Sequence, residues 1–223
     1  MTGGPSDTVL VTGASGFIGR AVTRSLQTAG YAVRAASRNP DQLDFPFAER
    51  ALMPAENGDA EAWDRLVIGA DHVVHCAGIA DASAHTHYDD YRRANVDLSV
   101  NLANAARRNV PGRFVFLSSI RAITGPTSRE VLTEDSPARP TEDYGRSKLE
   151  AETKLAEIFA IDSRQLVTLR PVAVYGEGMR GGLAGLLRLV RTPFPLPIGG
   201  VQARRSLLDV ERLAAAVLHV LSN

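Results

Sequence analysis

The sequence predicts an α/β fold in which a parallel sheet is covered by helices on both faces. Two observations predict this class: short apolar runs alternate with longer amphipathic runs along most of the 223 residues, and the short runs are apolar throughout. Strands that are buried on both faces have this uninterrupted apolar character. A strand–helix–strand order needs right-handed crossovers, which place neighbouring strands parallel to each other.

The individual elements follow from these runs. The predicted strands are short and apolar and lie at residues 8–11, 31–36, 51–53, 72–76, 113–117 and 165–169. The predicted helices carry apolar residues at helical spacing and lie at residues 17–29, 60–67, 89–108, 143–160, 185–191 and 209–221. Glycine and proline become frequent from residue 171, so we expect residues 1–170 to form the main domain and residues 171–223 a small extension that completes it.

Composition and charge exclude several classes of protein. The chain has 25 Lys and Arg residues against 25 Asp and Glu residues, which argues against general nucleic-acid coating and against a basic membrane-binding surface. No apolar run approaches the roughly 20 residues that span a bilayer, and the first residues lack the basic segment of a secretory signal. The single cysteine, Cys76, cannot form an internal disulfide. We therefore expect a cytoplasmic protein with no nucleic-acid or membrane partner.

The strongest local signal is a glycine-rich turn between the first predicted strand and the first predicted helix. It reads Val11-Thr-Gly-Ala-Ser-Gly-Phe-Ile-Gly19. Gly13 lets the chain turn sharply, Gly16 lets the backbone approach a pyrophosphate, and Gly19 allows close packing of helix on sheet. The helix N-terminus then offers free N–H groups to the phosphates. This context favours a dinucleotide site in a Rossmann-type, doubly wound sheet, and a tight structural turn is the alternative.

The end of the second strand indicates which dinucleotide is bound. An acidic residue there would accept a hydrogen bond from the ribose 2′-hydroxyl of NAD, but the chain reads Ala35-Ala-Ser-Arg-Asn39. Arg38 could instead pair with the 2′-phosphate of NADP, and a solvated surface arginine is the alternative. The expected cofactor is therefore NAD(P), with a preference for NADP.

A tyrosine and a lysine four residues apart form the predicted catalytic pair. Tyr144 and Lys148 lie on one face of the helix predicted at 143–160. A tyrosine hydroxyl has a pKa of about 10, and moving it to about 7 needs roughly 4 kcal/mol. An ammonium group about 4 Å away supplies a similar amount at an effective dielectric constant of about 20. A solvated surface pair is the alternative.

Two serines end the fifth predicted strand, where open α/β sheets bind their ligands. A hydroxyl of Ser118 or Ser119 at that place can hydrogen-bond a substrate oxygen beside Tyr144. Polar strand ends without a catalytic role are the alternative. By contrast, Glu150 and Glu152 are interpreted as part of an ordinary charged helix face.

These motifs occur together in the order typical of one family. The segment Thr12–Gly19 resembles the N-terminus of the extended short-chain dehydrogenase/reductases, also called NAD-dependent epimerase/dehydratases, which include UDP-sugar 4-epimerases and 4-keto-sugar reductases. The resemblance continues through Gly58-Asp59, His75–Gly78, Asn95-Val96, Phe116–Ser119, Tyr144–Lys148, Leu169–Pro171, Val174–Gly176 and Arg205–Leu207. Residues 33–40 also resemble the plant flavonoid reductases of this family, which bind NADPH through an arginine at the place of Arg38.

The resemblance implies a role for each matching residue. The implied catalytic residues are Ser119, Tyr144 and Lys148, with Ser118 in support. The implied cofactor-binding residues are Gly13, Gly16, Phe17, Ile18, Gly19, Arg38, Asp59, Cys76, Ala77, Gly78, Asn95, Tyr144, Lys148 and Pro171. The implied substrate-binding residues are Ser119 and Arg205, and no metal is implied. Three alternatives stay open: Asp59 as a helix cap, Asn95 as a buttress of the site, and Arg205 as a solvated basic residue.

The resemblance also implies a function and a partner. It implies hydride transfer at a carbinol or keto carbon of a nucleotide sugar by an NAD(P)-dependent epimerase or reductase that forms a homodimer. Two departures stand out. Ile120-Arg121 follows Ser119 where a dehydratase would have an Asp-Glu pair. The segment after residue 171 is short, so we expect a small, reduced C-terminal substrate lobe, and a truncated chain is the alternative. The alternative function is a non-catalytic, NAD(P)-binding regulatory or structural protein of the same fold.

Overall fold

The computed structural model describes residues 7–45, 49–80, 86–179, 184–185, 189–190 and 204–222. Within these residues one sheet contains β1 (Thr8–Thr12), β2 (Ala32–Ser37), β3 (Glu49–Leu52), β4 (His72–His75), β5 (Phe114–Leu117) and β6 (Leu166–Leu169). A second, two-stranded sheet pairs β7 (Ala173–Tyr175) with β8 (Leu207–Asp209). The helices are α1 (Phe17–Thr28), α2 (Ala60–Val67), α3 (Tyr88–Tyr91), α4 (Leu98–Asn109), α5 (Asp143–Ile158) and α6 (Val210–Ser222).

The larger sheet has the strand order β3-β2-β1-β4-β5-β6, and each neighbouring pair is parallel. The chain builds outwards from β1 to β3 and then returns to place β4 on the other side of β1. Doubly wound sheets with this order bind ligands outside the carboxyl ends of the strands, at the point where the order reverses. The predicted Rossmann-type, doubly wound parallel sheet is confirmed, and the expected crevice lies beyond β1 and β4.

The two faces of the sheet bury separate cores. Val9 and Val11 of β1 pack with α1 and α6 on one face, whereas Leu10 packs with α2, α4 and α5 on the other. Successive side chains of a strand point to opposite faces. A strand that is covered on both sides must therefore be apolar at every position, which explains the uninterrupted apolar runs.

Some elements differ from their predictions. The helix predicted at 89–108 is a succession of α3, a π-helical segment Arg92–Asp97 and α4. The pairing of β7 with β8 was not predicted. The helix predicted at 185–191 lies largely outside the described residues. The residues of this region that the structure does describe, 184–185 and 189–190, are helical. The division at residue 171 stays a prediction. No helix in the described part of the chain has the length and apolar character that a membrane crossing needs.

Candidate active site

The glycine turn lies at the carboxyl end of β1, beside the residues that follow β4. Gly13 has a positive φ of 67°, and a Cβ atom there would lie 2.7 Å from the backbone nitrogen of Ala77. A Cβ atom on Gly19 would overlap the carbonyl oxygen of Gly13. Gly16 donates its N–H to that same carbonyl oxygen at 2.9 Å. The turn therefore has no room for side chains at Gly13 or Gly19, and it fixes the start of α1.

The first turn of α1 has no side-chain cap. Gly16 occupies the N-cap position and brings no side-chain hydrogen bond to the helix. The backbone N–H groups of Phe17, Ile18 and Gly19 come first in the helix, where no intrahelical carbonyl is available to them. Such groups, together with the helix dipole, attract phosphate. The predicted cofactor residues of the turn thus lie together at the start of α1, and their binding of a pyrophosphate stays a prediction.

The segment after β4 lines the other side of this turn. Cys76 and Ala77 are half-buried, and a Cβ atom on Gly78 would lie 2.6 Å from Oδ1 of Asn95 and 3.4 Å from Nζ of Lys148. Burial raises the pKa of the Cys76 thiol to about 12, although the nearby Lys148 charge opposes this shift. A thiol that stays protonated is a poor nucleophile. The segment after β4 therefore contributes backbone atoms, and not a reactive thiol, to the site.

Lys148 is a buried cation at the centre of the site. Its Nζ donates to the carbonyl oxygen of Leu117 at 2.9 Å and lies 4.8 Å from the centre of the Phe116 ring. Burial lowers the pKa of Lys148 to about 8, and the acidic groups of Cys76 and Glu152 oppose that shift. The amine is therefore mostly protonated at pH 7, and α5 holds a positive charge against the end of β5.

Tyr144 and Ser119 lie on two segments that meet at this point. Tyr144 is half-buried in the first turn of α5, and its ring centre lies 6.1 Å from that of Tyr91. Ser119 follows β5 and is 8% exposed. The Oγ of Ser119 accepts a hydrogen bond from the backbone N–H of Arg121 at 3.2 Å, and the Arg121 carbonyl oxygen packs against Gly145. The hydroxyl-bearing strand end and the start of α5 are thereby held together.

Asn95 connects the segment after β4 to α5. The Asn95 side chain is fully buried in the π-helical segment; its Oδ1 accepts from the backbone N–H of Ile79 at 2.8 Å. Its Nδ2 donates to the carbonyl oxygen of Ile79 at 3.1 Å and to Oγ of Ser147 at 3.0 Å. These bonds support the alternative in which Asn95 is a buttress, since they join the segment after β4, at Ile79, to the first turns of α5, at Ser147. Direct contact of Asn95 with a cofactor stays a prediction.

Glu152 corrects the interpretation of α5 as an ordinary charged surface. Glu152 is only 7% exposed, accepts a hydrogen bond from Oγ of Ser118, and pairs with Arg170 at 2.6 Å. The bond between Ser118 and the Glu152 carboxylate anchors the end of β5 to α5. Ser119 does not take part in this bond, and its Oγ accepts from Arg121 instead. Glu150 accepts from the Tyr88 hydroxyl and so is also more than a solvated charge.

The remaining predicted residues lie around the rim. Arg38 is exposed just after β2, whose last residue, Ser37, donates to Oγ of Ser15 in the glycine turn at 3.2 Å. Asp59 caps α2 by accepting from the N–H of Ala62 at 2.7 Å, which confirms the cap interpretation; a contact with adenine stays a prediction. The carbonyl oxygen of Pro171 accepts from the N–H of Ile120, and Arg205 is exposed.

Comparison with known proteins identifies the family. Residues 9–223 match the profile described as the NAD dependent epimerase/dehydratase family. The chain belongs to this family. A Vibrio cholerae protein described as UDP-glucose 4-epimerase is 35% identical over 224 residues, covering 94% of this chain and 65% of that protein. An Escherichia coli O157:H7 protein described as N-acetyl-alpha-D-glucosaminyl-diphospho-ditrans,octacis-undecaprenol 4-epimerase is 29% identical over 226 residues, covering 98% and 64%.

A solved structure extends the comparison to the fold. The structure described as MoeE5 in complex with UDP-glucose and NAD superposes with a TM-score of 0.78 at 28% identity, covering 96% of this chain and 72% of that one. Of the two curated relatives named in the previous paragraph, the chain spans slightly less than two thirds of the length.

In this member of the NAD-dependent epimerase/dehydratase family, predicted residues of the glycine turn, the segment after β4, the end of β5 and α5 lie beside one another at the carboxyl end of the sheet. Sequence reasoning missed Glu152 and gave no role to Arg121. The available signal for Glu152 was its i+4 spacing from Lys148, which places both on one helix face. The available signal for Arg121 was its position two residues after Ser119.

Proposed function

We propose that this protein binds a nicotinamide dinucleotide and acts as an NAD(P)-dependent epimerase or reductase on a nucleotide sugar. The observation that carries the proposal is the buried side chain of Lys148, one helical turn after Tyr144, whose Nζ lies at the end of β5 and near Gly78 after β4. An ammonium group is costly to bury without a partner or a function. Perturbed cations in clefts are frequent at functional sites.

The residues present fit such a cofactor. The places that side chains would fill at Gly13 and Gly19 are taken by backbone, and the uncapped start of α1 is suited to a pyrophosphate. A bound nicotinamide dinucleotide supplies a hydride acceptor or donor at C4 of its ring. Gly13, Gly16 and the first N–H groups of α1 would hold its phosphates, and Lys148 would hold its ribose.

The side chains of the crevice divide the proton chemistry between them. Tyr144 transfers a proton to or from the substrate oxygen, since a phenol near a cation can ionise close to neutral pH. Lys148 favours the ionised phenol, and its own pKa of about 8 leaves it charged under those conditions. Ser119, at the open end of β5, binds the same substrate oxygen and orients it towards Tyr144.

The comparisons support a sugar nucleotide as the substrate class. The Vibrio cholerae relative is described as a UDP-glucose 4-epimerase, and the MoeE5 structure is described with UDP-glucose and NAD. A dinucleotide recycled within one turnover would make the enzyme an epimerase, and net exchange would make it a reductase. Arg205 binds the substrate diphosphate in this proposal.

The choice between NAD and NADP depends on Arg38. The exposed guanidinium of Arg38 follows β2, where it would pair with a 2′-phosphate, and residues 35–39 carry no carboxylate that would accept from a 2′-hydroxyl. The MoeE5 neighbour, however, is described with NAD. We propose that the site accepts both dinucleotides and prefers NADP. We also propose a homodimer formed through α4 and α5.

The experiment compares the wild-type protein with Tyr144→Phe and with a matched control, Tyr175→Phe, on β7. Binding of NADH and NADPH is followed by nicotinamide fluorescence, and turnover is measured on a panel of UDP-sugars and 4-keto sugars. We expect Tyr144→Phe to bind dinucleotide and to lose turnover by about 10²- to 10⁴-fold, the usual contribution of a general acid–base group. Tyr175→Phe should retain turnover.

Two results would contradict this proposal. Binding without turnover on any member of the panel would favour a non-catalytic dinucleotide-binding protein. Turnover that survives in Tyr144→Phe would remove Tyr144 from the reaction.

A further inference from the structure

The Glu152 carboxylate joins the carboxyl ends of two neighbouring strands to α5. Its Oε1 accepts from the hydroxyl of Ser118, directly after β5, and from Nε of Arg170, directly after β6, at 3.0 Å. Its Oε2 accepts from Nη2 of Arg170 at 2.6 Å. The Arg170 side chain is 33% exposed, whereas the Glu152 side chain is 8% exposed. The buried carboxylate therefore bridges β5 and β6, and the guanidinium of the pair reaches solvent.

The bond to Glu152 fixes the directions of the two serines that follow β5. Phe114 and Phe116 of β5 pack in the core that includes α5, and Ser118 continues that row because successive side chains of a strand alternate. Ser119 has extended backbone angles, with φ −160° and ψ 151°, so the alternation continues and its side chain belongs to the other row. If Ser118 turned away from Glu152, Ser119 would turn with it.

Lys148 and Glu152 hold a single peptide group from one face of α5. The Nζ of Lys148 donates at 2.9 Å to the carbonyl oxygen of Leu117, which belongs to the peptide that joins Leu117 to Ser118. Glu152 follows one helical turn later on the same face and accepts from the Ser118 side chain. A rotation of this peptide group would therefore move the acceptor of Lys148 and the Ser118 hydroxyl together.

We infer that Glu152 is a positioning residue of this site, which acts through Ser118 and Arg170 to hold the ends of β5 and β6 against α5. The inference rests on the proposed function in taking Ser119 and Lys148 as the groups that are positioned. In this role Glu152 touches neither substrate nor dinucleotide. The reaction depends on its acceptor oxygen more than on its charge, because that oxygen holds Ser118.

The first test uses variants that separate the acceptor oxygen from the charge. Ser118→Ala leaves every charge in place, and Glu152→Leu removes both oxygen and charge. We expect each to lower kcat, expressed per dinucleotide bound, by about 10- to 100-fold, as small misplacements of reacting groups do. KM for the UDP-sugar should change little, since the bond is remote from the substrate. Glu152→Gln keeps an acceptor for Ser118 and should keep most of the wild-type kcat.

A double variant and a matched control complete the turnover measurements. Ser118→Ala/Glu152→Leu should lose no more kcat than the larger single loss, because both substitutions remove the same bond. The control is Glu61→Leu on α2, where the glutamate side chain is 85% exposed and lies 3.6 Å from Arg65. It should leave kcat unchanged, because an exposed ion pair contributes little.

Hydrogen exchange of backbone amides in the dinucleotide-free protein gives a readout apart from turnover. The N–H groups of Ser118 and Ile120 bond to carbonyl oxygens at and just after the end of β6, at 2.8 and 3.0 Å. Ser118→Ala and Glu152→Leu should speed exchange at these two amides, because the strand ends then open locally. The reference is the Val73 N–H, which is bonded at the opposite end of the sheet and should keep its rate.

Three results would overturn the inference. The first is an unchanged kcat in Ser118→Ala. The second is an equal loss of kcat in Glu152→Gln and Glu152→Leu, which would assign the effect to charge. The third is faster exchange at Val73 to the same extent as at Ser118 and Ile120, which would show only a loss of overall stability.

The experiment also separates this inference from the proposed function. If Glu152→Leu does not fold, Ser118→Ala decides, since it keeps all the charges of the network. If the wild-type protein turns over no sugar nucleotide, the proposed function is rejected and amide exchange decides the inference: faster exchange confined to Ser118 and Ile120 supports it, and any other pattern overturns it. Turnover that survives unchanged in Ser118→Ala keeps the proposed function and overturns the inference.

Discussion

His75 illustrates how one buried side chain links the glycine turn to the helices behind it. Its ring lies 2.6 Å from Oγ1 of Thr12 through Nδ1 and 2.8 Å from Oγ of Ser99 through Nε2. Because Ser99 donates its proton to the carbonyl oxygen of Asn95, Nε2 of His75 must be the donor to Ser99 and Nδ1 the acceptor from Thr12. This neutral tautomer agrees with a pKa that burial, aided by the Lys148 charge, lowers to about 3.

The buried histidine predicts a loss of stability in mild acid. The ordinary pKa of 6.5 applies to the unfolded chain and about 3 to the folded one, so below pH 6.5 the unfolded state binds the proton first. The contribution of His75 is therefore complete above pH 6.5 and is lost as the pH falls towards 3. Between pH 6.5 and 5 we expect the free energy of unfolding to fall by about 2 kcal/mol through His75 alone.

Urea unfolding at several pH values checks this expectation. His75→Gln should flatten the dependence of the unfolding free energy on pH by that amount, and His219→Gln, on an exposed position of α6, is the matched control. Parallel curves for the wild-type protein and His75→Gln would show that the buried ring does not titrate as described.

At the scale of elements, α5 combines two unlike faces. Lys148, Glu152 and Leu155 are buried against the sheet, and Tyr144 begins the same line of residues at the crevice. The opposite face carries Leu149 and exposed residues such as Thr153. The inner face therefore holds the site together, and the outer face is available to a partner.

The proposed homodimer makes a prediction for this outer face. Light scattering at micromolar concentration should give twice the 23.9 kDa of one chain. Leu149→Arg on α5 should shift the protein towards the mass of one chain, because in the proposed dimer the substitution adds a like charge to each of the two facing helices. The matched control is Leu52→Arg on β3, where the leucine is 66% exposed. A single-chain mass for the wild-type protein throughout that range would reject the dimer.

Across the whole molecule, the last helix completes the core that the first helix begins. Leu213 and Val217 of α6 are almost fully buried with Val22 and Leu26 of α1 on one face of the sheet. The Tyr31 hydroxyl also lies 3.3 Å from Oγ of Ser222. The helix α6 thus contributes to the same core as β1, whereas the division of the chain at residue 171 stays a prediction.

This shared core predicts one cooperative unfolding transition. Leu213→Ala should lower the free energy of unfolding by about 2–5 kcal/mol, the usual effect of truncating a buried leucine. The effect should appear as a shift of a single urea transition followed by both fluorescence and circular dichroism. Leu52→Ala, at an exposed position, should change stability little. Two separated transitions would show that residues 171–223 form an independent unit.

The sequence predicted the six strands of the larger sheet and most of the helices because their signals are local. Gly13, Gly16 and Gly19 follow a strand and open a helix, and each has a conformational or steric reason that can be read without the fold. The pairing of β7 with β8 could not be predicted in this way, since two strands of three residues lie more than thirty residues apart and only their spatial neighbours make them strands.

Glu152 and Arg121 mark the limit of local reasoning. A glutamate in a helix with charged neighbours has the pattern of a solvated face, and its burial depends on Ser118 and Arg170, which arrive from the ends of β5 and β6. An arginine that follows a strand also has the pattern of a solvated residue, and only the fold brings Glu142 beside Arg121.

Backbone preference and the spacing of apolar residues act over a few positions, and they were sufficient to predict the doubly wound sheet, which the structure confirms. The phosphate-binding role of the glycine turn and the catalytic role of Tyr144 and Lys148 stay predictions. Strand order and helix packing decide which charged side chains meet in the interior. Burial then strengthens the electrostatic interactions between them. For that reason the surroundings of Lys148, Glu152 and Arg121 became visible only when the folded chain had brought distant segments together.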